Sequence, residues 1–395
     1  MQKNLRPTYL EVNLNRLKQN LENIRARVAP AKVLVVLKAN AYGHGVDGVA
    51  PFIAPFADYI GVALVEEAIH LRSLGITTPI LVMGGTLPDQ IPAFLEFDLT
   101  LAASSLDLLN AAEQLSASAR KRLKAHLKID TGMERIGVRE YEAEALIEKS
   151  LSCRHVEIEG IFTHFANSEE MALRGDALSP KQSPTTQEVA SGLPPLATTP
   201  ALQLERFEAV LSIYEKRGEP HPPLRHIANS GATLLIPESY YDMVRPGVLF
   251  YGVYPARDIE KTIEVKPALT WRSKVVYSKV TLPGRGVSYG SLWRPEIESR
   301  IATIPCGYAD GYFRRITNQS QVIINGKKYP QVGRVCMDQF MVNAGDDDVK
   351  VGDDVILLGE GITVEDLANW VGTNEYEVMT NISARVPRVF TQSGW

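Results

Sequence analysis

The chain has 395 residues, 45% of them apolar and 22% charged, with a formal net charge of −4 at pH 7. Its length suggests two or three domains with sizeable cores, and no apolar run approaches the roughly 18 residues of a membrane-spanning helix. The slight acidity argues against a nucleic-acid or acidic-membrane surface, so small molecules or a second copy are the expected partners. Cys153, Cys306 and Cys336 form no CxxC pair and no metal-ligand spacing, so neither a disulfide framework nor a metal site is expected. Residues 1–7 lack the apolar core of a signal peptide, which makes the cytoplasm the expected compartment.

Leu14, Leu17, Leu21, Ile24 and Val28 recur at helical spacing and predict an amphipathic helix from after Asn13 to about residue 29. The run 33–37, short, β-branched and apolar throughout, reads as a buried strand of a parallel sheet. Further runs at 59–63, 80–83, 99–102, 125–129, 158–163, 224–228 and 248–251 alternate with helical stretches. Eight such runs match the rhythm of a (β/α)8 TIM-type barrel over residues 10–260, with a doubly wound open sheet as the alternative. Residues 169–200 carry Pro180, Pro184, Pro194, Pro195 and Pro200 among Ser, Thr and Gln. That composition reads as a flexible insertion, a solvated loop in preference to a lid. From 261 to 395 strand-like runs at 271–280, 299–304, 321–324, 327–332 and 353–358 are joined by Asn-Gly and Gly-rich turns, with one helix near 363–370. They predict a mainly β carboxy-terminal domain, to which residues 1–9 are a candidate addition.

A barrel places its chemistry at the carboxyl ends of its strands, and polar residues gather there. Lys38 follows the first run, where partial desolvation favours the neutral amine that forms a Schiff base. Asp130 to Arg135 follow the fifth run, Thr163-His164 end the sixth, Asn229-Ser230-Gly231 follow the seventh, and Arg245-Pro246-Gly247 adjoin the eighth. Loops after strands seven and eight often cradle phosphate, a role that Ser230, Gly231 and Gly247 suit. Taken singly, Lys38 could merely snorkel to solvent, Ser230 cap a helix, His164 be a structural imidazole, and Arg135 and Arg245 form rim ion pairs. Together a Schiff-base lysine, a phosphate cradle and two arginines suggest pyridoxal phosphate and a carboxylate substrate.

These residues stand in motifs that resemble those of the alanine racemases. They are Lys38-Ala39-Asn40-Ala41-Tyr42-Gly43-His44-Gly45, His126 to Met133 with Arg135, Thr163-His164-Phe165-Ala166, Asn229-Ser230 and Arg245-Pro246-Gly247. Later come Val287-Ser288-Tyr289-Gly290, Gly307-Tyr308-Ala309-Asp310-Gly311, Gly333 to Asp338, Tyr376-Glu377 and Arg385-Val386-Pro387-Arg388. The resemblance spans nearly the whole chain and implies a pyridoxal-phosphate-binding barrel joined to a β-domain. It implies that Lys38 holds the cofactor as a Schiff base and serves as the base on one face of the substrate's Cα, with Tyr289 on the other. Tyr42, Ser230, Gly247, Val248 and Tyr376 match the phosphate contacts. His164 and Arg245 match a linked network in which Arg245 faces the pyridine nitrogen. Arg135 and the backbone at Met337 match the receivers of the substrate carboxylate, and Lys128 matches a position that is carbamylated in several relatives. Tyr289, Cys336 and Met337 would come from the partner subunit of a homodimer with shared sites. The implied function is interconversion of L- and D-alanine, supplying D-alanine for peptidoglycan.

Two departures from the family pattern stand out. Asn167-Ser168-Glu169-Glu170 opens the proline-rich insertion, and the pattern resumes at Gln203. Cys306 is an unusual neighbour of Gly307-Tyr308, read as a small buried residue. A racemase of broader specificity on the same fold is the rival function, although Tyr289 and Tyr376 are expected to narrow the entrance to methyl-sized side chains. A non-catalytic pyridoxal phosphate carrier, which lacks the β-domain and its tyrosine, is the alternative from another class.

Overall fold

The protein is described here by a computed structural model covering residues 5–168 and 198–394. The insertion expected at 169–200 therefore falls, from 169 to 197, outside the described residues. The first helix runs Leu14–Val28 and buries the five apolar residues that predicted it, while the Asn13 side chain accepts from the Arg16 amide and caps it. Eight parallel strands follow in chain order: Lys32–Val36, Tyr59–Val62, Ile80–Val82, Thr100–Ala103, Leu123–Asp130, Val156–Phe162, Leu224–His226 and Met243–Val244. The eighth pairs back onto the first, Met243 opposite Lys32 and Val244 opposite Val33. Between the seventh and eighth, Asp242 N donates to Arg225 O at 3.1 Å and Arg245 N to Ala228 O at 2.9 Å. The sheet is thus a nearly closed barrel.

The expected eighth strand at 248–251 is corrected by the structure. Val248–Tyr251 is a buried 3₁₀ turn ending at Gly252, whose φ is +85°. A four-residue apolar run gives no period that separates a buried turn from a strand, and the true strand is only two residues long. As a result Arg245 follows a strand's carboxyl end directly, as Lys38 follows the first strand.

The barrel interior is partly polar. His126 and His226 are fully buried, their Nδ1 and Nε2 atoms 2.8 Å apart, and the His226 ring stacks on Phe162 at 4.7 Å. Gly160 on the sixth strand makes room for this pair, because a Cβ there would lie 2.6 Å from His126 Nδ1.

A second sheet of nine strands is built from Tyr9–Asn13 and strands of the carboxy-terminal segment. Tyr9–Asn13 lies inside it, antiparallel to Leu269–Lys274 and parallel to Arg388–Thr391. The run at 271–280 divides into Leu269–Lys274 and Tyr277–Thr281, while Ser299–Ile304, Gln321–Ile324 and Lys327–Val332 keep the expected bounds. Phe340–Gly345 and Arg388–Thr391 are further strands, and Glu375–Thr380 is a second late helix besides Val364–Val371. Trp271, Tyr312 and Phe340 form this domain's aromatic core, with Tyr312 and Phe340 stacked at 4.4 Å.

Gly160→Ala is expected to overpack the barrel against a fully buried ring, costing about 1–3 kcal/mol of stability. Urea unfolding followed by far-UV circular dichroism would show this as a lowered midpoint, and an unchanged midpoint would contradict the packing described.

Candidate active site

Lys38 stands two residues beyond the first strand and opens an unusual turn. Ala39, Asn40, Ala41 and Tyr42 all have φ between +50° and +55°, a left-handed conformation that side chains with a Cβ adopt at a cost. Local acceptors hold it: Glu67 Oε1 takes the Ala39 amide at 2.7 Å, and Asn40 Oδ1 takes the Val46 amide at 2.8 Å. The other Glu67 oxygen binds the Ala63 and Leu64 amides, tying the turn to the end of the second strand. Burial and then the Arg135 charge lower the Lys38 pKa from its ordinary value, opposed by Glu67. The neutral amine is therefore more accessible than in free lysine.

Tyr42, the last residue of that turn, is buried beneath Tyr251 and Tyr376, with ring centroids 5.1 and 6.0 Å away. Burial pushes its phenol up to about 12, so it remains a hydroxyl. A Cβ at Gly247 would sit 2.8 Å from Tyr42 Oη and 3.9 Å from Ser230 Oγ. Glycine at 247 thus keeps open a recess between two hydroxyls. Asn229, not Ser230, caps helix Ser230–Leu235 through Ala232 N, which leaves Ser230 Oγ to accept from Leu249 N at 3.3 Å on the recess side. Val248 lies buried beside it.

Arg245 is buried and spreads its guanidinium across the strand ends. It donates to the carbonyls of Thr163 at 2.8 Å and Ile227 at 3.2 Å, to His226 Nδ1 at 2.8 Å and to His164 Nδ1 at 3.1 Å. Desolvation lowers its pKa to about 9, still cationic at neutral pH. A permanent donor fixes its partners' tautomers: His226 carries its proton on Nε2 and donates a hydrogen bond from it to His126 Nδ1, and His164 likewise carries its proton on Nε2. Burial first, then the Arg245 charge, holds both His164 and His226 well below the ordinary imidazole range, so both are neutral.

Asp130, at the end of the fifth strand, shapes the loop that presents Arg135. Its Oδ1 accepts from the amides of Gly132, Met133 and Glu134, and its Oδ2 from that of Arg135, at 2.8–3.1 Å. Burial raises its pKa, and these four bonds more than offset that, for a net lowering. Arg135 itself is exposed. Lys128 points into the barrel with its Nζ 4.4 Å from the Phe162 ring centroid, and burial, then Arg245, drives its pKa well down. Lys38, Arg135 and Arg245 therefore concentrate positive charge at one end of the barrel, suited to a phosphate and a carboxylate, with the buried Lys128 amine beside them held toward its neutral form.

Tyr289 and Met337 lie elsewhere. They are 70% and 53% exposed, and with Cys336 they line a cavity of about 1100 Å³ whose walls come wholly from the second domain. Tyr308 N and Ala309 N hold the Cys336 and Met337 carbonyls at 3.0 Å. Among the described residues the chain gathers Lys38, Tyr42, His164, Ser230, Arg245, Gly247 and Tyr376 around the barrel mouth, and Tyr289 with Met337 on a separate face. Sequence reasoning did not single out Glu67 or His226, and it named Arg388 only within the motif Arg385-Val386-Pro387-Arg388, without a role. Glu67 stands in the first turn of the helix after the second strand and His226 inside the run 224–228, so neither is among the polar residues that directly follow a run.

Residues 12–255 match the family described as "Alanine racemase, N-terminal domain" and residues 268–390 match "Alanine racemase, C-terminal domain". The chain belongs to the alanine racemase family. It is 40% identical over 393 residues to the alanine racemase of Carboxydothermus hydrogenoformans, covering 98% of this chain and 100% of that one. It is also 40% identical to alanine racemase 2 of Caldanaerobacter subterraneus subsp. tengcongensis, covering 99% and 96%. Among solved structures, alanine racemase of Clostridium difficile 630 superposes with a TM-score of 0.86 at 35% identity, covering 98% and 97% of the two chains. Its complex with cycloserine superposes at 0.83 and 34% identity, covering 98% and 96%. Alanine racemases are pyridoxal-phosphate-dependent isomerases, and the hydroxyl-lined recess at Gly247 beside Lys38 fits that cofactor's phosphate.

Because Glu67 holds the Lys38 pKa up, Glu67→Gln is expected to lower it further. Cofactor-stripped protein should then capture pyridoxal phosphate with a pH midpoint below that of wild type, followed by visible absorbance. A midpoint that stays or rises would contradict the electrostatics described.

Proposed function

We propose that this chain interconverts L- and D-alanine in a site where Lys38 and Tyr289 transfer protons on opposite faces of one carbon. One observation carries the reading: a Lys38 of lowered pKa shares the barrel mouth with a hydroxyl-lined phosphate recess and a buried, fully engaged arginine. Pyridoxal phosphate supplies an electron sink for the pair left behind when the α-proton departs. Tyr42, Ser230, Gly247, Val248 and Tyr376 would hold its phosphate, and Lys38 would bind its aldehyde carbon.

Arg245 would face the ring nitrogen. A guanidinium that stays charged at neutral pH keeps its protons, so that nitrogen remains a hydrogen-bond acceptor and the sink stays moderate. Arg135 and the backbone at Met337 would fix the substrate carboxylate and so orient the Cα–H bond. The Lys38 amine removes a proton from one face and the Tyr289 hydroxyl delivers one to the other, with the roles reversed for the opposite enantiomer. A lone base would tend to restore the original hand. Carbamylation of Lys128 would replace a buried amine that is held toward its neutral form with an anion able to orient Arg135.

Tyr289 reaches Lys38 by way of a second copy of the chain. An exposed catalytic tyrosine is explained if a two-fold partner covers it, as are the neighbouring exposed Tyr277, Val280, Leu282, Leu292 and Ile297. We place the homodimer in the cytoplasm, supplying D-alanine for peptidoglycan. Its free cysteines suit a reducing compartment, and no described helix is long and apolar enough to cross a membrane.

The test is racemisation of L-alanine, L-serine and L-lysine, with alanine expected to turn over fastest. Lys38→Ala and Tyr289→Phe should each lose α-proton exchange from one enantiomer selectively, by about 10²–10⁴-fold. Equal loss from both enantiomers in either variant would overturn the two-base assignment.

A further inference from the structure

The left-handed turn that carries Lys38 is gripped from the carboxy-terminal domain. Arg388 donates to the Gly43 carbonyl from Nε at 3.1 Å and from Nη2 at 3.0 Å. Its remaining N–H groups go to the carbonyls of Ser383 at 2.6 Å, Val386 at 2.7 Å and Ile382 at 2.7 Å. All five guanidinium donors are thus spent on backbone oxygens, joining the chain's last strand and the turn before it to the barrel. Desolvation lowers the Arg388 pKa, as expected of a cation held by dipoles alone.

The barrel side is cut to match. A Cβ at Gly43 would lie 2.1 Å from Met379 O, at Gly45 3.1 Å from Arg388 Cγ, and at Gly48 2.3 Å from the Phe390 ring. The three glycines let the carboxy-terminal segment approach the backbone itself. The same contact seats Tyr376, one turn before Thr380, near the Tyr42 ring.

We propose that Arg388 is a positioning residue for Lys38 and Tyr42: its fork on the Gly43 carbonyl locks the left-handed turn, so the Schiff-base lysine and one wall of the phosphate recess are set across the domain boundary. Four successive residues in a sparsely populated conformation persist only where the surroundings over-determine them. Among the described barrel residues Glu67 and Asn40 supply side-chain acceptors to the turn; the carboxy-terminal domain supplies the clamp at its far end. A lysine at 388 keeps the charge but offers three donors from one point, and cannot span Gly43 and the 382–386 carbonyls together.

This inference rests on Lys38 being the cofactor lysine, so borohydride reduction of the wild-type holoenzyme comes first. A pyridoxyl group absent from the Lys38 peptide would defeat that assignment and not the clamp. With the label in place, Arg388→Lys is compared with Arg385→Lys, which lies in the same segment and binds Asp338 and Asp310. Arg388→Lys should retain far-UV circular dichroism, release cofactor on dialysis about 10-fold faster, and lose most visible circular dichroism of the bound cofactor. Its kcat should fall by up to about 100-fold with KM little changed, as a misplaced reacting group requires. Wild-type cofactor retention and visible signal in Arg388→Lys, or the same losses in Arg385→Lys, would overturn the proposal. A measurement without variants guards against misfolding. In the wild-type holoenzyme under mild denaturant, hydrogen exchange should release peptides 38–48 and 381–390 together; a protected 38–48 beside an exchanging 381–390 would equally overturn it.

Discussion

Inverting a carbon centre requires proton transfer on both of its faces, whereas a barrel offers its reactive side chains from one end only. Much of this structure follows from that constraint. In the proposed site the strand ends supply one base, the cofactor recess and the carboxylate-binding arginine. The proposed opposing base, Tyr289, stands on a second domain whose sheet includes Tyr9–Asn13 and Arg388–Thr391, so both ends of the described chain are committed to supporting it. In the proposed shared site, its exposed position within a single chain is what reaching a neighbour's barrel would demand.

Electrostatics makes the barrel mouth receptive. Lys38, Arg135 and Arg245 would repel one another in isolation, and each is held by something local: Glu67 near Lys38, Asp130 under the Arg135 loop, and neutral imidazoles and carbonyls around Arg245. Using neutral acceptors around Arg245 preserves its charge while fixing its direction. A carboxylate partner there would have cancelled the field that a phosphate and a substrate carboxylate require.

Much of this was legible in the sequence because strand ends in a barrel impose a strong local pattern. Seven of the eight barrel strands were recognisable as short apolar runs, and the polar residues immediately after them gather at one end of the barrel. The eighth strand was not, since Met243-Val244 is too short to signal and Val248–Tyr251 mimics a strand in composition while forming a turn. Ser230 was ambiguous for a related reason: cap and ligand contact use the same hydroxyl, and only the geometry shows Asn229 taking the cap. Glu67, His226 and Arg388 act through backbone groups or through other side chains. The decisive partners are distant in sequence, 28 residues from Glu67 to Ala39, 100 from His226 to His126 and 345 from Arg388 to Gly43, and no local spacing encodes such contacts.

The central claim is that one catalytic site draws Lys38 and Tyr289 from different chains, and complementation tests it most directly. Lys38→Ala and Tyr289→Phe, each inactive alone, are unfolded together, refolded and assayed as a mixture. In a shared-site dimer every heterodimer regains one site with both wild-type groups, so random pairing should restore about a quarter of wild-type activity. A mixture that forms heterodimers yet stays as inactive as its components would show that each chain must supply both groups itself, contradicting the account.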